Sequence, residues 1–486
     1  MASVLGRQVC LYMNKQRIYK VLAVILVVGL LASGSVLGFV FGYSRGINSQ
    51  QAMWRSGEWG KLNDALYHIE NFYINESDRE QLLEGALRGL VDSLEDPYSS
   101  YLNAEEMEEM EISSGGSYSG IGVEVTMEDN RITILAPFRG SPAEDAGLMP
   151  GDKIVEVDGR NLEGMNLDDA IKYIRGEAGT ELTLGIIREG RANIFHVTLT
   201  RAEIHRSSVE YQMLTNDIGY LNLTRFADGS TEEFAQAVTD LRSQGMDGLI
   251  LDLRGNPGGY LDVAINIARQ VVPEGLIVYT KDRDGERTSE FRSNLRERGY
   301  PMVLLVDELS ASASEILAGA LKDSDGAVLV GANTYGKGTI QRYYELGDGS
   351  VVKLTMSRFY TPNGLRIDGN GVAPDYEVEL EAAARLPHLP FLGTIEPGDD
   401  KLNVVQLQMM LEALDYYQGE ATGYYDEATV AAVRAFQNAN NLSASGLVDR
   451  QTTERLNQRW ETYSRDADTQ LAKARELIQD LIRQEN

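Results

Sequence analysis

Four short apolar runs, separated by segments of helical periodicity, constrain the fold of this chain most. They are IGYLNL (218–223), GLILDL (248–253), VLLVDE (303–308) and AVLVGA (327–332). Strands that are buried on both faces of a sheet read as continuous apolar runs, because helices cover both faces. Their alternation with helices is typical of an α/β core. We therefore predict an α/β domain over residues 204–393, with VVKLTMSRFYT as an additional half-exposed strand.

The preceding region, 113–203, shows short strands and Gly-rich turns, which indicate a small β-rich domain. NLDDAIKYIR supplies its one long helix, and residues 44–112 are predicted to be helical, with SDRE (77–80) as a capping box. The predicted strands are SYSGIGVEV, RITILAPF, GDKIVEVDG, ELTLGIIREG and FHVTLTR.

The N-terminus contains an uncharged stretch over residues 21–43 that is long enough to cross a bilayer. Arg and Lys residues before it, with no acidic residue among them, keep residues 1–20 in the cytoplasm as a short tail and place the rest outside. We therefore predict a single-pass membrane protein with an extracytoplasmic catalytic part. A cleaved signal peptide is the alternative, although its apolar region is usually only about 7–15 residues long.

Beyond a linker at IEPGDD, two apolar helical stripes predict a compact helical module over residues 398–460. A last amphipathic helix, 461–486, ends the chain. Its apolar face packs either on its own subunit or on a partner, and the sequence does not decide between them.

Composition excludes several function classes. The formal net charge of −28 argues against nucleic acid as a partner, since phosphate binding needs clustered Lys and Arg. The four histidines lie in no nucleophile-elbow pattern, and no H-E-x-x-H occurs. We therefore predict no metal, no cofactor and no Ser-His-Asp triad.

Serine chemistry remains possible in ELSASASEIL (308–317), which follows a predicted strand and opens a helix. A serine at a helix start lies beside free backbone N–H groups that can stabilise an oxyanion. Its base would be Lys337 in TYGKGTIQ, a lysine that burial can deprotonate, with Gln341 holding the amine. The glycines on both sides of Lys337 let the backbone approach another segment closely. The alternatives are a capping box of Ser312 and Glu315, and an ordinary surface lysine.

Two further motifs bear on this chemistry. LDLRGNPGG (251–259) ends a predicted strand and turns through two glycines, so it can supply a second oxyanion donor or serve only as a tight turn. SVVK (350–353) matches the S-x-x-K of β-lactamases. That motif opens a helix, whereas this stretch alternates and is predicted to be a strand.

Together, SASASEILAGALKD, TYGKGTIQ, LDLRGNPGG and EDPYSSYL before SYSGIGVEV resemble carboxy-terminal processing peptidases, also called tail-specific proteases. The resemblance covers roughly residues 60–390. It implies an α/β core of the ClpP/crotonase type with a Ser-Lys dyad, and the 25-residue spacing between the two residues selects Ser312 rather than its neighbours. The implied roles are Ser312 as nucleophile, Lys337 as general base, Gln341 as orienter of the lysine, and Gly258 and Ala313 as oxyanion-hole donors.

The resemblance also implies that the β-rich segment is a PDZ domain, which is β-barrel-like. Its carboxylate-binding loop would be Gly120, Ile121, Gly122 and Val123, and Arg175 would couple peptide binding to the catalytic site. The module at 398–460 is similar to three-helix peptidoglycan-binding domains.

The predicted fold is thus multidomain α+β, with an N-terminal transmembrane helix, a helical segment, a PDZ domain, a protease core and a three-helix module. The predicted protein is an endopeptidase that cleaves C-terminal tails of extracytoplasmic proteins, binds peptidoglycan and forms a homodimer. The rival hypotheses are a non-catalytic PDZ and wall-binding scaffold and a peptidoglycan-processing hydrolase.

Overall fold

The computed structural model describes residues 58–115, 117–215, 217–381 and 383–485. The first two helices, α1 (Glu58–Phe72) and α2 (Arg79–Asp92), lie in the region 44–112 that is predicted to be helical, but a short strand at Ser100–Leu102 interrupts that region. The predicted capping box is wrong by one residue. Asp78 is the N-cap of α2, and its carboxylate accepts the N–H groups of Glu80 and Gln81. Asp caps a helix about as well as Ser does, so the S-x-x-E pattern is ambiguous here.

A β-rich domain comes next along the chain. The elements up to the last strand of its sheet are β1 (Ser100–Leu102), α3 (Ala104–Gly115), β2 (Ser117–Gly120), β3 (Val123–Glu128), β4 (Arg131–Pro137), α4 (Pro142–Asp145), β5 (Lys153–Val157), β6 (Arg160–Asn161), α5 (Leu167–Ile174), β7 (Glu181–Ile187) and β8 (Phe195–Thr200). The sheet has the order β3-β4-β5-β7-β8, with β6 pairing with β5 and β3 at one edge. The predicted strand SYSGIGVEV is divided in two because Gly122 has a φ of 74°.

The α/β domain contains two sheets. The elements from here to its last strand are β9 (Ala202–His205), β10 (Val209–Met213), β11 (Ile218–Leu223), α6 (Ser230–Ser243), β12 (Gly248–Asp252), α7 (Leu261–Val271), β13 (Gly275–Lys281), β14 (Arg287–Ser293), β15 (Met302–Val306), α8 (Ala313–Asp323), β16 (Val328–Gly331), β17 (Thr339–Glu345), β18 (Val351–Tyr360) and β19 (Tyr376–Glu377). The first sheet has the order β10-β11-β12-β15-β16-β19, with β11 to β19 parallel and β10 antiparallel at the edge. The second sheet has the order β1-β18-β13-β14, with β17 also pairing with β18.

The C-terminal region begins with a 3₁₀ turn, Ala383–Arg385, and continues with α9 (Leu402–Ala413), α10 (Glu427–Ala439), α11 (Arg450–Asp466) and α12 (Thr469–Glu485). Side chains of α9, α10 and α11 share one core around Leu407, Phe436 and Trp460. The predicted helical stripes are therefore buried, as an amphipathic module requires.

The parallel sheet has a separate apolar core on each face. Leu249 and Leu251 of β12 contact side chains of α6, α7 and α8, whereas Ile250 belongs to the core that α12 closes with Ala474 and Ile478. Successive residues of a strand point to opposite faces, so a strand covered on both sides is apolar at every position. This explains the continuous apolar runs in the sequence.

The fold prediction that included a transmembrane helix is corrected. Within the described ranges, no helix is long and apolar enough to cross a membrane. The longest, α11 and α12, have 17 residues each and carry charged side chains, whereas a span needs about 20 apolar residues. The stretch 21–43 itself lies outside the described residues.

Candidate active site

The serine-rich turn lies between β15 and α8, and its three serines have different surroundings. The Ser310 hydroxyl donates to the Leu253 carbonyl oxygen at 2.8 Å, and the Ser314 hydroxyl donates to the Asn256 carbonyl oxygen at 3.0 Å. Both of these serines are fully buried, whereas Ser312 is partly exposed. The structure therefore separates Ser312 from its neighbours on accessibility and hydrogen bonding.

Ser312 also has an unusual backbone conformation, with φ 55° and ψ −110°. Positive φ is costly for a residue with a Cβ, by about 1–3 kcal/mol, and such strain concentrates at functional sites. The capping box predicted with Glu315 is present. The capping role does not exclude a catalytic role for Ser312, because its side chain stays partly exposed in this turn.

Glu315 does more than cap the helix. Its fully buried carboxylate accepts the Ser312 N–H at 2.8 Å, the Gly336 N–H at 2.6 Å and the Lys337 N–H at 2.8 Å. The Thr334 hydroxyl also donates to it, at 2.6 Å. Burial raises the pKa of Glu315, and these hydrogen bonds oppose the shift. One carboxylate therefore joins the serine turn to the lysine loop.

Lys337 lies in the glycine-bracketed loop, half-buried. A methyl group at Gly338 would lie 2.0 Å from the Asp368 backbone nitrogen, so the glycine permits the close backbone approach that the sequence predicts. The Lys337 ammonium lies over the ring of Tyr98, with Nζ 5.0 Å from the centroid. Burial lowers the pKa of Lys337, the positive charge of Lys353 lowers it further, and Glu315 opposes both.

Gln341 lies on β17, directly after a break in its register with β18. Its side-chain Nε2 donates to the Thr339 hydroxyl at 2.9 Å and to the Thr355 hydroxyl at 3.3 Å. Across the described residues, no hydrogen bond joins Gln341 to the Lys337 amine. The structure thus shows Gln341 hydrogen-bonded to Thr339 and to Thr355 on β18, but not to the lysine it was expected to orient.

The two predicted oxyanion donors meet at Ser312. A methyl group at Gly258 would lie 2.8 Å from the Ser312 Cβ and 3.0 Å from the Ala313 nitrogen, which shows how closely this turn packs on the serine. Within the described chain, the Ala313 N–H has no acceptor. The Gly258 N–H instead donates to the Asn256 side-chain oxygen at 2.8 Å, and Asn256 Nδ2 donates to the Leu223 carbonyl oxygen at 2.7 Å.

Glu315 and Asn256 are the two residues of the site that sequence reasoning missed. Glu315 was interpreted only as a capping residue, and Asn256 only as part of a turn. Both act on segments distant in sequence, Glu315 on the lysine loop and Asn256 on the end of β11. No local pattern in the sequence carries that information.

The five residues predicted to bind a peptide line one cavity in the β-rich domain, between β3 and α5. Apolar side chains such as Val125 and Ile171 form its wall. The Nε atom of Arg175 is buried without a partner within the described ranges, and its guanidinium lies 5.6 Å from the Tyr118 ring centroid. The cavity therefore combines an edge strand, an apolar wall and a cation near an aromatic ring. Its five predicted members are Gly120, Ile121, Gly122, Val123 and Arg175.

Two of the four histidines contact carboxylates, and neither contact involves the serine turn or the lysine loop. His196 Nε2 is 3.1 Å from a Glu156 oxygen in the β-rich domain, and His205 Nε2 is 3.0 Å from a Glu233 oxygen. In the ranges that the structure describes, no three His, Cys, Asp or Glu side chains come together as metal ligands would.

Four family models match the chain. Residues 217–378 match peptidase family S41, 133–188 match a PDZ domain, and 400–456 match a putative peptidoglycan binding domain. Residues 43–106 match the N-terminal domain of the activating protease CtpB.

Whole-chain relatives agree with these matches. The carboxy-terminal processing protease CtpA of Bacillus subtilis is 35% identical over 464 residues, which cover 95% of this chain and 99% of the relative. CtpB of the same organism is 34% identical over 90% of this chain and 96% of its own length. Among solved structures, the photosystem II D1 C-terminal processing protease matches 69% of this chain and 93% of its own, with 31% identity and a TM-score of 0.41.

Proposed function

This chain belongs to peptidase family S41 as a carboxy-terminal processing serine protease with a PDZ domain, and we propose that Ser312 is its nucleophile and Lys337 its general base. The observation that carries the proposal is the Glu315 carboxylate, which accepts N–H groups from both Ser312 and Lys337. Two segments far apart in sequence are thereby held side by side.

The proposed reaction starts with a neutral Lys337, which the lowered pKa of this amine favours. As the Ser312 oxygen bonds to the carbonyl carbon of the scissile peptide, its proton passes to Lys337. The resulting ammonium then gives the proton to the leaving amine, the C–N bond breaks and an acyl-enzyme remains. A water molecule then gives a proton to Lys337 as its oxygen bonds to the acyl carbon. The bond between that carbon and the Ser312 oxygen breaks, and the lysine returns the proton to the serine.

The developing oxyanion needs donors that are already in place. We assign the Ala313 N–H as the first donor and the Gly258 N–H as the second. The Gly258 N–H must leave the Asn256 side chain to reach the oxyanion, so this donor becomes available only when the turn adjusts. Gln341 must likewise turn from Thr339 towards Lys337 to orient the amine.

We propose that the PDZ cavity receives the free C-terminus of a substrate. An extended tail would add to the edge of β3, with its carboxylate at the backbone N–H groups of the Gly120–Val123 loop and its last side chain against Val125 and Ile171. The apolar wall favours an apolar last residue.

We further propose that the substrates are extracytoplasmic proteins and that the C-terminal module binds peptidoglycan. The match of residues 400–456 to a peptidoglycan binding domain supports both, since that polymer lies outside the cytoplasm. Comparing the C-termini of extracytoplasmic proteins between cells with the native enzyme and cells with Ser312→Ala, by mass spectrometry, would identify the substrates. A homodimer stays a prediction that sedimentation would test.

Two measurements on purified protein test the catalytic assignment. A fluorophosphonate probe should label the native enzyme at Ser312 and fail to label Ser312→Ala, while Ser314→Ala, which changes the adjacent buried serine, should keep the label. A peptide with a free apolar C-terminus should be cleaved by the native enzyme and not by Ser312→Ala or Lys337→Ala. Cleavage by either variant, in protein of native circular dichroism, would reject the dyad and favour another hydrolytic centre.

A further inference from the structure

The last helix, α12, lies outside every segment that a family model matches, yet it is part of the protease core. Leu471, Ala474 and Ile478 are buried against the parallel sheet. The packing is close, because a methyl group at Gly248 on β12 would lie 2.8 Å from the Ile478 side chain. From the sequence alone, this helix could pack on its own subunit or on a partner. In the structure it packs on the second face of the parallel sheet of its own chain.

The start of α12 is fixed to the end of that sheet. The Thr469 hydroxyl donates to the Glu379 carbonyl oxygen at 2.6 Å, and Gln470 Nε2 donates to the Val378 carbonyl oxygen at 2.8 Å. The Asp468 carboxylate caps the helix by accepting the Leu471 N–H at 2.8 Å. Asp468 is therefore held in place independently of its contacts with the segment that follows β12.

Those contacts are made through Arg254, whose side chain is only 15% exposed. Its guanidinium donates to both oxygens of Asp468, at 2.9 and 3.0 Å, to Gln470 Oε1 at 3.1 Å, and to Asp252 at 2.7 Å. Tyr220 in turn donates its hydroxyl to Asp252 at 2.7 Å. Bidentate contacts of this kind fix the position of an arginine as well as stabilise it.

Arg254 stands four residues before Gly258, in LDLRGNPGG. The loop between them is attached to the serine turn on its other side. The Gly255 N–H donates to Asp307 at 2.9 Å, and the Ala311 N–H donates to the Asn256 carbonyl oxygen at 3.0 Å. The loop is thus anchored at both ends, and one anchor comes from the C-terminal segment.

We propose that Asp468 is a positioning residue of the protease: through Arg254 it holds the start of the loop that places Gly258 against Ser312, so that only the Gly258 peptide has to turn from Asn256 towards the oxyanion. The inference rests on the proposed function, because it assigns a role in the oxyanion hole of that same site. It also gives the C-terminal segment a part in catalysis that does not depend on binding any ligand.

The test compares Asp468→Asn with Asp480→Asn in the full-length protein. Asp480 lies on the same helix and also pairs with an arginine, Arg483, at 3.2 Å, but on an exposed surface. Since misplacement of a catalytic group by about 1 Å costs up to about 100-fold in rate, we expect kcat of Asp468→Asn to fall about 10- to 100-fold while KM changes less than about twofold. Affinity for a peptide aldehyde, which forms an oxyanion-like adduct, should fall in parallel.

A structural role alone would not produce this pattern. The proposal would be overturned if kcat were equal in the two variants, or if Asp468→Asn changed only KM. It would also be overturned if the decrease in kcat disappeared when activity is measured well below the melting temperature of the variant. If Asp468→Asn does not fold, Gln470→Met removes one acceptor of Arg254 without removing a charge, and it should lower kcat in the same direction but less. Fluorophosphonate labelling of the native enzyme separates failure of this inference from failure of the proposed function. If Ser312 is not labelled in the native enzyme, the proposed function itself is rejected.

Discussion

At the scale of single residues, the surroundings of Lys337 decide whether it can act as a base. Its amine lies over the ring of Tyr98, and burial together with the Lys353 charge lowers its pKa, while the Glu315 carboxylate raises it. Glu315 accepts the backbone N–H groups of Gly336 and Lys337 and so joins the loop to the serine turn. The carboxylate raises the pKa of the proposed base, and burial and the charge of Lys353 offset this effect.

The pH dependence of kcat/KM tests this balance. The proposed mechanism needs neutral Lys337, so kcat/KM should rise with pH through the lowered pKa of this residue, below the ordinary lysine value of about 10.4. Lys353→Met removes the neighbouring charge, which raises the pKa of Lys337 and moves the rising limb to higher pH. Lys353→Arg keeps the charge and should leave the pH at which kcat/KM rises unchanged. If kcat/KM of Lys353→Met rose at the same pH as in the native enzyme, burial alone would set the pKa of Lys337.

At the scale of elements, the turn between β2 and β3 gives the PDZ cavity its shape. Gly122 has a φ of 74°, and a methyl group there would lie 2.3 Å from the Ser141 Cβ. The Ser141 hydroxyl donates to the Gly122 carbonyl oxygen at 3.0 Å, so the start of α4 supports the loop from behind. This glycine lies in the two-residue turn between the strands, and β3 follows it at the sheet edge, where an incoming tail could pair.

Two glycine variants separate loop shape from general backbone strain. Gly122→Ala should weaken binding of a peptide with a free C-terminus by at least tenfold, because the added methyl group displaces the loop. Gly140→Ala is the matched control: its φ of 73° gives the same strain, about 1 kcal/mol, but nothing lies within 4 Å of the added methyl group. Fluorescence anisotropy with a labelled tail peptide would measure both. Similar affinities in the two variants would contradict binding at this loop.

At the scale of the whole molecule, chain order and spatial order differ. The helical module of α9 to α11 has its own apolar core, and yet the chain returns after it to complete the protease sheet with α12. The protease core is therefore discontinuous in sequence. Its stability should depend on residues about a hundred positions beyond the last matched residue of the S41 segment.

Ile478→Ala tests that dependence. Ile478 is fully buried between α12 and the sheet, and its truncation should lower the free energy of unfolding by about 2–5 kcal/mol through lost burial and a cavity. Leu402→Ala is the control, because Leu402 is 87% exposed and its truncation should change stability by less than about 0.5 kcal/mol. Urea unfolding followed by circular dichroism would measure both. A protein unaffected by Ile478→Ala would show that α12 is dispensable to the core.

Much of this fold follows from local patterns. The runs IGYLNL, GLILDL, VLLVDE and AVLVGA are β11, β12, β15 and β16, and VVKLTMSRFYT is β18, because continuous and alternating apolar patterns specify doubly and singly covered strands. The glycines around Lys337 likewise predicted a close backbone approach, which Gly338 makes. The predicted N-cap at Ser77 was displaced to Asp78, since both residue types cap helices equally well.

The sequence by itself determined the elements, their periodicity and the candidate set of serines and lysine, because each depends on residues within one turn or one strand. Only the tertiary structure decided that Ser310 and Ser314 are buried while Ser312 is accessible, that Glu315 joins two distant loops, and that α12 covers the protease sheet. These outcomes depend on contacts between segments 20 to more than 200 residues apart. No local pattern encodes such contacts, and the burial they create sets both the accessibility of the serine and the pKa of the lysine.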